Sequence, residues 1–267
     1  MMEMRIYGLI AMLLCFGLTV GCTSTDLPET KSATIQYEFQ QENENREAIC
    51  KEGDCIAKEI NDYLGWTIAA DANPRCVFDN RHIYEGSVRS EYKDQVMYCA
   101  NYCDFVHEYV HLICDVSGKA KYPPESMVRE GFATYIEYIW KDEIAQGEYQ
   151  YLQTDVRINR SSDPTENAQV EAMLEMNEME LTPENYQRAF VQLAYERAGE
   201  KLPYLVDDSF VDYWIGPILV DFLITQQGGL KPFLGFYCES ERAQAIYGRS
   251  LDKLVLAALK YNDSLFV

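Results

Sequence analysis

A chain of 267 residues with 48% hydrophobic and 25% charged residues is long enough to bury one sizeable core. Its 43 acidic residues against 23 basic ones give a formal charge of -20, which repels phosphate backbones and anionic headgroups. Nucleic acid is thereby excluded as a partner, and the excess reads as a solubilising surface.

In chain order, the N-terminus reads as an export segment, residues 1–21. Met1 to Arg5 carries the one basic residue before the apolar run Ile6 to Val20, which is short for a membrane span. Its end, Leu18-Thr19-Val20-Gly21-Cys22, resembles a bacterial lipobox, in which the cysteine receives lipid and becomes the mature N-terminus. That resemblance implies a lipoprotein held in the bacterial cell envelope through Cys22. A short membrane anchor or a plain secretory signal are the alternatives, and both also put the domain outside the cytoplasm. Residues 22–31, polar and containing Pro28, read as a tether. The domain is expected over residues 32–267.

Of nine cysteines, seven follow Cys22, so at least one thiol has no partner within the monomer. Cys50 and Cys55 could close a small disulfide loop, with Gly53-Asp54 as the turn between them. No C-x-x-C pair is present, which argues against a thiolate zinc knuckle or a thioredoxin-like site.

Ser32 to Phe39 alternates Ile35, Tyr37 and Phe39 with polar residues, the period-two pattern of a half-buried strand. A helix is expected at Ala48 to Tyr63, and short strands at Thr67 to Ala70, Cys76 to Phe78 and Asp94 to Tyr98. From Asn101 the pattern turns helical: Asn101 to Val116, Glu125 to Ile144, Glu166 to Met176, Pro183 to Ala198, Phe210 to Gln226 and Ser250 to Lys260. Arg157 to Glu166 reads as a surface loop. Thr182-Pro183 marks the firmest helix start, with Gly199 placed for a left-handed cap. The fold class is α+β: a small N-terminal sheet packed with helix, then a mainly helical C-terminal half.

The chemistry gathers in Phe105-Val106-His107-Glu108-Tyr109-Val110-His111. A spacing of four on a helix points both imidazoles the same way, close enough to share one Zn2+ ion. Glu108 beside them is placed to take a proton from water rather than to ligate. Three histidines in the whole chain make a chance H-E-x-x-H improbable. The remaining one, His82, reads as a surface or strand residue.

A third ligand is expected from Glu130. The loop Ser117 to Pro124 turns the chain back, and a helix from about Glu125 brings that carboxylate alongside the histidines. Glu137 is the alternative. A His2Glu set leaves one position open for water. Cys103 and Cys114 share the histidine face by spacing but read as buried thiols.

H-E-x-x-H, eighteen residues, then E-G-F-A-T-Y resembles the signature of the aminopeptidase N-like gluzincins, zinc metallopeptidases, over about thirty residues of the chain. The resemblance implies a catalytic domain with a small mixed sheet above an active-site helix, as in thermolysin and aminopeptidase N. It further implies zinc on His107, His111 and Glu130, Glu108 as general base, and a peptide or protein substrate. The G-x-M-E-N stretch that grips a free amino terminus in that family is absent, so an endopeptidase or other single-domain peptidase is expected rather than a true aminopeptidase. Gluzincins also need an oxyanion donor, and Tyr213 in Asp212-Tyr213-Trp214-Ile215-Gly216 is the candidate, because Gly216 lets its helix approach the site; Tyr135 is the alternate. Two other readings stay open: an inactive binding protein on the same fold, and a zinc hydrolase of non-peptide amides.

Overall fold

In the computed structural model, Tyr37 and Phe39 of strand β1 (Gln36–Phe39) lie against the first helix, α1 (Arg46–Leu64). The structure describes residues 35–79, 83–84, 87–88, 90–119, 124–153, 158 and 160–266. The expected export segment, Cys22, the tether and His82 lie outside these residues. Helix α1 turns Ile49, Ile56, Ile60 and Leu64 inward, a stripe at helical spacing. It carries the chain over to β2 (Arg75–Phe78), which pairs in parallel with β1.

A short antiparallel pair, β3 (Ile83–Tyr84) with β4 (Ser87–Val88), follows. Strand β5 (Glu91–Lys93) then turns into β6 (Val96–Cys99) through Asp94 and Gln95, at φ of 51° and 63°. Two successive positive φ values match the twist of a tight antiparallel hairpin. The sheet order is β1-β2-β6-β5, with β6 parallel to β2 and β5 antiparallel on the edge.

Helix α2 (Phe105–Val116) follows a single 3-10 turn, and Phe105, Val106, Tyr109, Val110, Leu112 and Ile113 are fully buried. A helix apolar nearly all round belongs inside the core, so its polar residues are the exceptions that carry information. Helix α3 (Ser126–Ile139) packs along it and ends in a π turn, Trp140–Ile144. Helices α4 (Pro164–Met176) and α5 (Pro183–Ala198) pair around a small core of Val170, Leu174 and Tyr186. Then come α6 (Leu202–Leu205), α7 (Asp208–Phe210), a π turn at Val211–Ile215 and α8 (Gly216–Gln226). The last helices are α9 (Leu230–Cys238), α10 (Ala243–Tyr247) and α11 (Leu251–Asp263). The architecture is α+β, a small mixed sheet against a mainly helical body. Among the described residues no helix is long and apolar enough to cross a membrane.

Four expectations need correction. Cys50 and Cys55 do not bound a disulfide loop: both are free thiols on continuous α1. Gly53 serves packing instead of a turn, because a Cβ there would sit 3.0 Å from Tyr37 Cε1, whose hydroxyl donates to Asp54 at 3.1 Å. Thr67 to Ala70 forms no strand; Ala69 donates to the Val116 carbonyl at 3.0 Å, and Ile68 is buried, so the segment closes over the end of α2. The strand expected at Asp94 to Tyr98 begins two residues later, because Asp94 and Gln95 make the hairpin turn. Thr182 caps α5 as expected, accepting from Asn185 N at 3.1 Å, but Gly199 closes it with φ 59° and ψ -148° rather than a left-handed cap.

Candidate metal centre

Helices α2 and α3 present their few polar side chains to one another. His107 and His111, one turn apart on α2, face Glu130 on the second turn of α3. Their nearest atoms form a triangle: His107 Nε2 to His111 Nε2 is 3.2 Å, His111 Nε2 to Glu130 Oε2 is 3.1 Å, and His107 Nε2 to the same Oε2 is 3.3 Å. A tetrahedron with edges of that length has its centre about 2.0 Å from each corner, the distance at which zinc takes imidazole nitrogen and carboxylate oxygen. The donor set and spacing therefore fit a zinc ion. Among the described residues these three form the one group of side chains close enough to hold a metal together.

Glu137, two turns beyond Glu130 on α3, sits on the other side of the first histidine. Its Oε2 accepts from His107 Nδ1 at 2.9 Å. In the neutral ring a proton on Nδ1 leaves a lone pair on Nε2, facing the triangle, so Glu137 favours that tautomer and fixes the ring orientation. As the alternative ligand Glu137 is thereby displaced to a supporting position.

Charge in this cluster is strongly redistributed. Burial opposes the His107 imidazolium, yet the carboxylates of Glu137, Glu130 and Glu108 outweigh it and hold its pKa well above the ordinary value. For His111 burial prevails and lowers the pKa. Burial acts against the Glu130 carboxylate too, but the two imidazoles beside it drive its pKa far down. Glu108, 5% exposed, has no such help. Burial, reinforced by Glu130, Asp104 and Glu137 and only partly offset by His107, pushes it up to about 8. Its Oε2 is buried and has no hydrogen-bond partner among the described residues.

Tyr213 reaches the same cleft from the π turn ahead of α8. Its ring stacks 6.5 Å from that of His107, and burial followed by the charge of Glu130 raises its phenol pKa. A π turn breaks the regular helical ladder, and Gln187 of α5 takes up the freed carbonyls, donating to Tyr213 O at 2.9 Å and Trp214 O at 2.7 Å. Ser126, at the start of α3, donates to Asp212 at 2.6 Å. The approach itself depends on glycine at two positions: a Cβ on Gly131 would lie 2.7 Å from Gly216 Cα, and one on Gly216 would lie 2.5 Å from Met127 O. Backbone meets backbone directly behind Glu130.

The resulting cleft, about 190 Å³, is lined on its sheet side by Ser90, Glu91 and Tyr92 of the edge strand and its approach, and on its helical side by Glu108, Arg129 and Tyr213 beside the triangle. Tyr135, the alternate oxyanion donor, is buried in the core and does not line it. Cys103 is half-buried and outside the triangle, and burial pushes the Cys114 thiol up to about 12. Glu137, Gln187 and Arg129 were not assigned these positions from sequence. Only Glu137 left a signal, standing seven residues from Glu130 on the same helical face. Comparison with protein-family models, curated proteins and solved structures found no match.

Proposed function

We propose that this chain is a zinc-dependent peptidase with a thermolysin- or aminopeptidase N-like catalytic domain. The observation that carries the proposal is the triangle of two imidazole nitrogens and one carboxylate oxygen, 3.1–3.3 Å on a side, beside a buried carboxylate with no partner among the described residues. His107, His111 and Glu130 would hold the ion, and zinc bound there would supply Lewis-acid polarisation of a carbonyl and acidification of water. Glu108 takes a proton from the attacking water and returns it to the leaving amine. The cation would favour the Glu108 carboxylate that accepts the proton, and the burial that raises its pKa favours holding that proton until it is passed to the leaving amine. Tyr213, its phenol kept protonated, donates to the developing oxyanion.

Strand β5 ends the sheet and lines the cleft. An edge strand is a surface onto which an extended peptide adds as one more strand. That arrangement favours cleavage within a chain, so an endopeptidase or single-domain peptidase is the better reading than an aminopeptidase. The lipobox at Cys22 supports a position at the bacterial cell envelope, with the domain outside the cytoplasm.

Incubating the purified protein with a diverse peptide library, with and without a chelator, tests the reading. We expect cleavage that stops on chelation and returns with zinc. Zinc-loaded protein that binds peptides without cutting them would establish the binding-protein alternative; turnover of non-peptide amides alone would establish the other.

A further inference from the structure

The metal cleft adjoins a second cavity of about 280 Å³, and Tyr92, His111 and Arg129 line both. The second cavity is otherwise walled by Cys114, Tyr237, Pro124 and Asp115. A substrate bound across the metal ligands therefore has room on that side, and Arg129 stands at the junction.

Arg129 precedes Glu130 on α3, so the helix rotates it about 100° away from the ligand direction. Its Nη2 lies 3.5 Å from Glu130 Oε1, longer than a charge-assisted hydrogen bond, and its Nε is buried with no partner among the described residues. The side chain is 42% exposed. Histidines apart, no other cationic side chain is among the described residues lining either cavity. A guanidinium carries five donors in a planar fork suited to a carboxylate, and among the described residues this one makes a single long ion pair at the mouth of a cavity.

We infer that Arg129 sets specificity by binding a carboxylate of the substrate, an Asp or Glu side chain or a free C-terminal carboxylate, on the side of the scissile bond that enters the second cavity. The inference rests on the peptidase reading above. Asp115, which accepts from the Tyr92 hydroxyl, lines only the second cavity. Asp115 is exposed, and its charge disfavours an anion at its side of the second cavity, so the recognised carboxylate sits at the Arg129 junction. On a chain of formal charge -20, an acidic ligand gains nothing from long-range attraction, which makes a short-range fork the feature that selects it.

The test uses zinc-loaded full-length protein and peptides that share one cleaved bond. At each flanking position Glu, Gln and Lys are exchanged in turn, and the C-terminus is either free acid or amide. We expect kcat/KM for Glu over Gln at one fixed position, or for acid over amide at one fixed distance, to be tenfold or more; which arm responds identifies the source of the carboxylate. Arg129→Gln should bring that ratio to within about twofold, and Arg129→Lys, which keeps the charge but loses the fork, should lose most of it. Zinc content and melting temperature confirm that each variant is folded and loaded. Binding of the same peptides, fluorescently labelled, to zinc-loaded Glu108→Gln is measured in parallel. Arg129-dependent preference in binding without any cleavage would sink the peptidase reading while the recognition stands. No preference in either assay, or one that survives both substitutions at Arg129, overturns the inference.

Discussion

Glu108→Gln separates the chemistry of the site from its stability. Glu108 is 5% exposed, and burial raises its pKa from 4.5 to about 8. The folded value lies above the unfolded one, so the contribution of the protonated carboxyl is fully present below about pH 4.5 and is lost as pH rises through 8. At 1.36 kcal/mol per unit, holding the group protonated in the folded state at pH 7 costs about 3 kcal/mol in the zinc-free protein. Glutamine keeps the shape and removes the titration. Zinc-free Glu108→Gln should therefore unfold close to the wild type near pH 5 and at a temperature several degrees higher at pH 7 to 8, read by calorimetry across that range. Added zinc should narrow the gap, because a nearby cation favours the carboxylate. The same variant should retain zinc and lose peptide cleavage by about a thousandfold or more. A variant no more stable than wild type at pH 8 refutes the burial argument, and loss of zinc with the carboxylate refutes the assignment of Glu108 as base.

Tyr213→Phe should lower kcat by about 10²-fold or more with KM and zinc content little changed, as expected for a donor engaged in the transition state; an equal loss in KM would point to substrate packing instead. Glu137→Gln should weaken zinc binding by about 10- to 100-fold in competition with a chromogenic chelator, and unaltered affinity would show that the His107 tautomer needs no support. Gly131→Ala should cost about 1–3 kcal/mol in chemical denaturation, since its Cβ would meet the Gly216 backbone and overpacking of a tight crossing is costly. Wild-type stability there would mean that α3 and α8 separate easily.

The parts of the site set by local geometry were legible in the sequence. His107 and His111 share a face because four residues make about one helical turn, and the structure brings their Nε2 atoms to 3.2 Å. Glu130 followed from a loop and a second helix of suitable length. Long-range packing was less legible. Gly53-Asp54 carries turn chemistry by composition, yet the ring of Tyr37, contributed by a strand sixteen residues earlier, makes Gly53 a contact point on an unbroken helix. Glu137 was visible as a carboxylate on the right face, but its assignment depends on which ring nitrogen it meets, and spacing does not encode that. The π turn at Tyr213 depends on Gln187, more than twenty residues upstream, capturing two carbonyls. Arg129 gave no signal, because its role depends on two cavities that form only when α2, α3, β5 and α9 are assembled.

The same crossing that hid these features from the sequence explains why the groups can act together. Glu130 and Gly131 are consecutive on α3, and Gly216 follows Tyr213 by three residues, so the proposed metal ligand and the proposed oxyanion donor flank one backbone-to-backbone contact. Side chains can change rotamer, whereas two backbones in contact have little freedom to slide. The bonds from Ser126 to Asp212 and from Gln187 to the carbonyls of Tyr213 and Trp214 hold the π turn against α3 and α5. Placement of Tyr213 relative to Glu130 is thus set by rigid elements rather than by the 45%-exposed tyrosine itself. On the opposite wall, Tyr92 of β5 is tied through its hydroxyl to Asp115, one residue past Cys114 on the ligand helix. Sheet edge and α2 are therefore joined beside the second cavity. A peptide laid along β5 would meet the His107–His111–Glu130 triangle on one side and Arg129 at the mouth of the next cavity, all positioned before it binds.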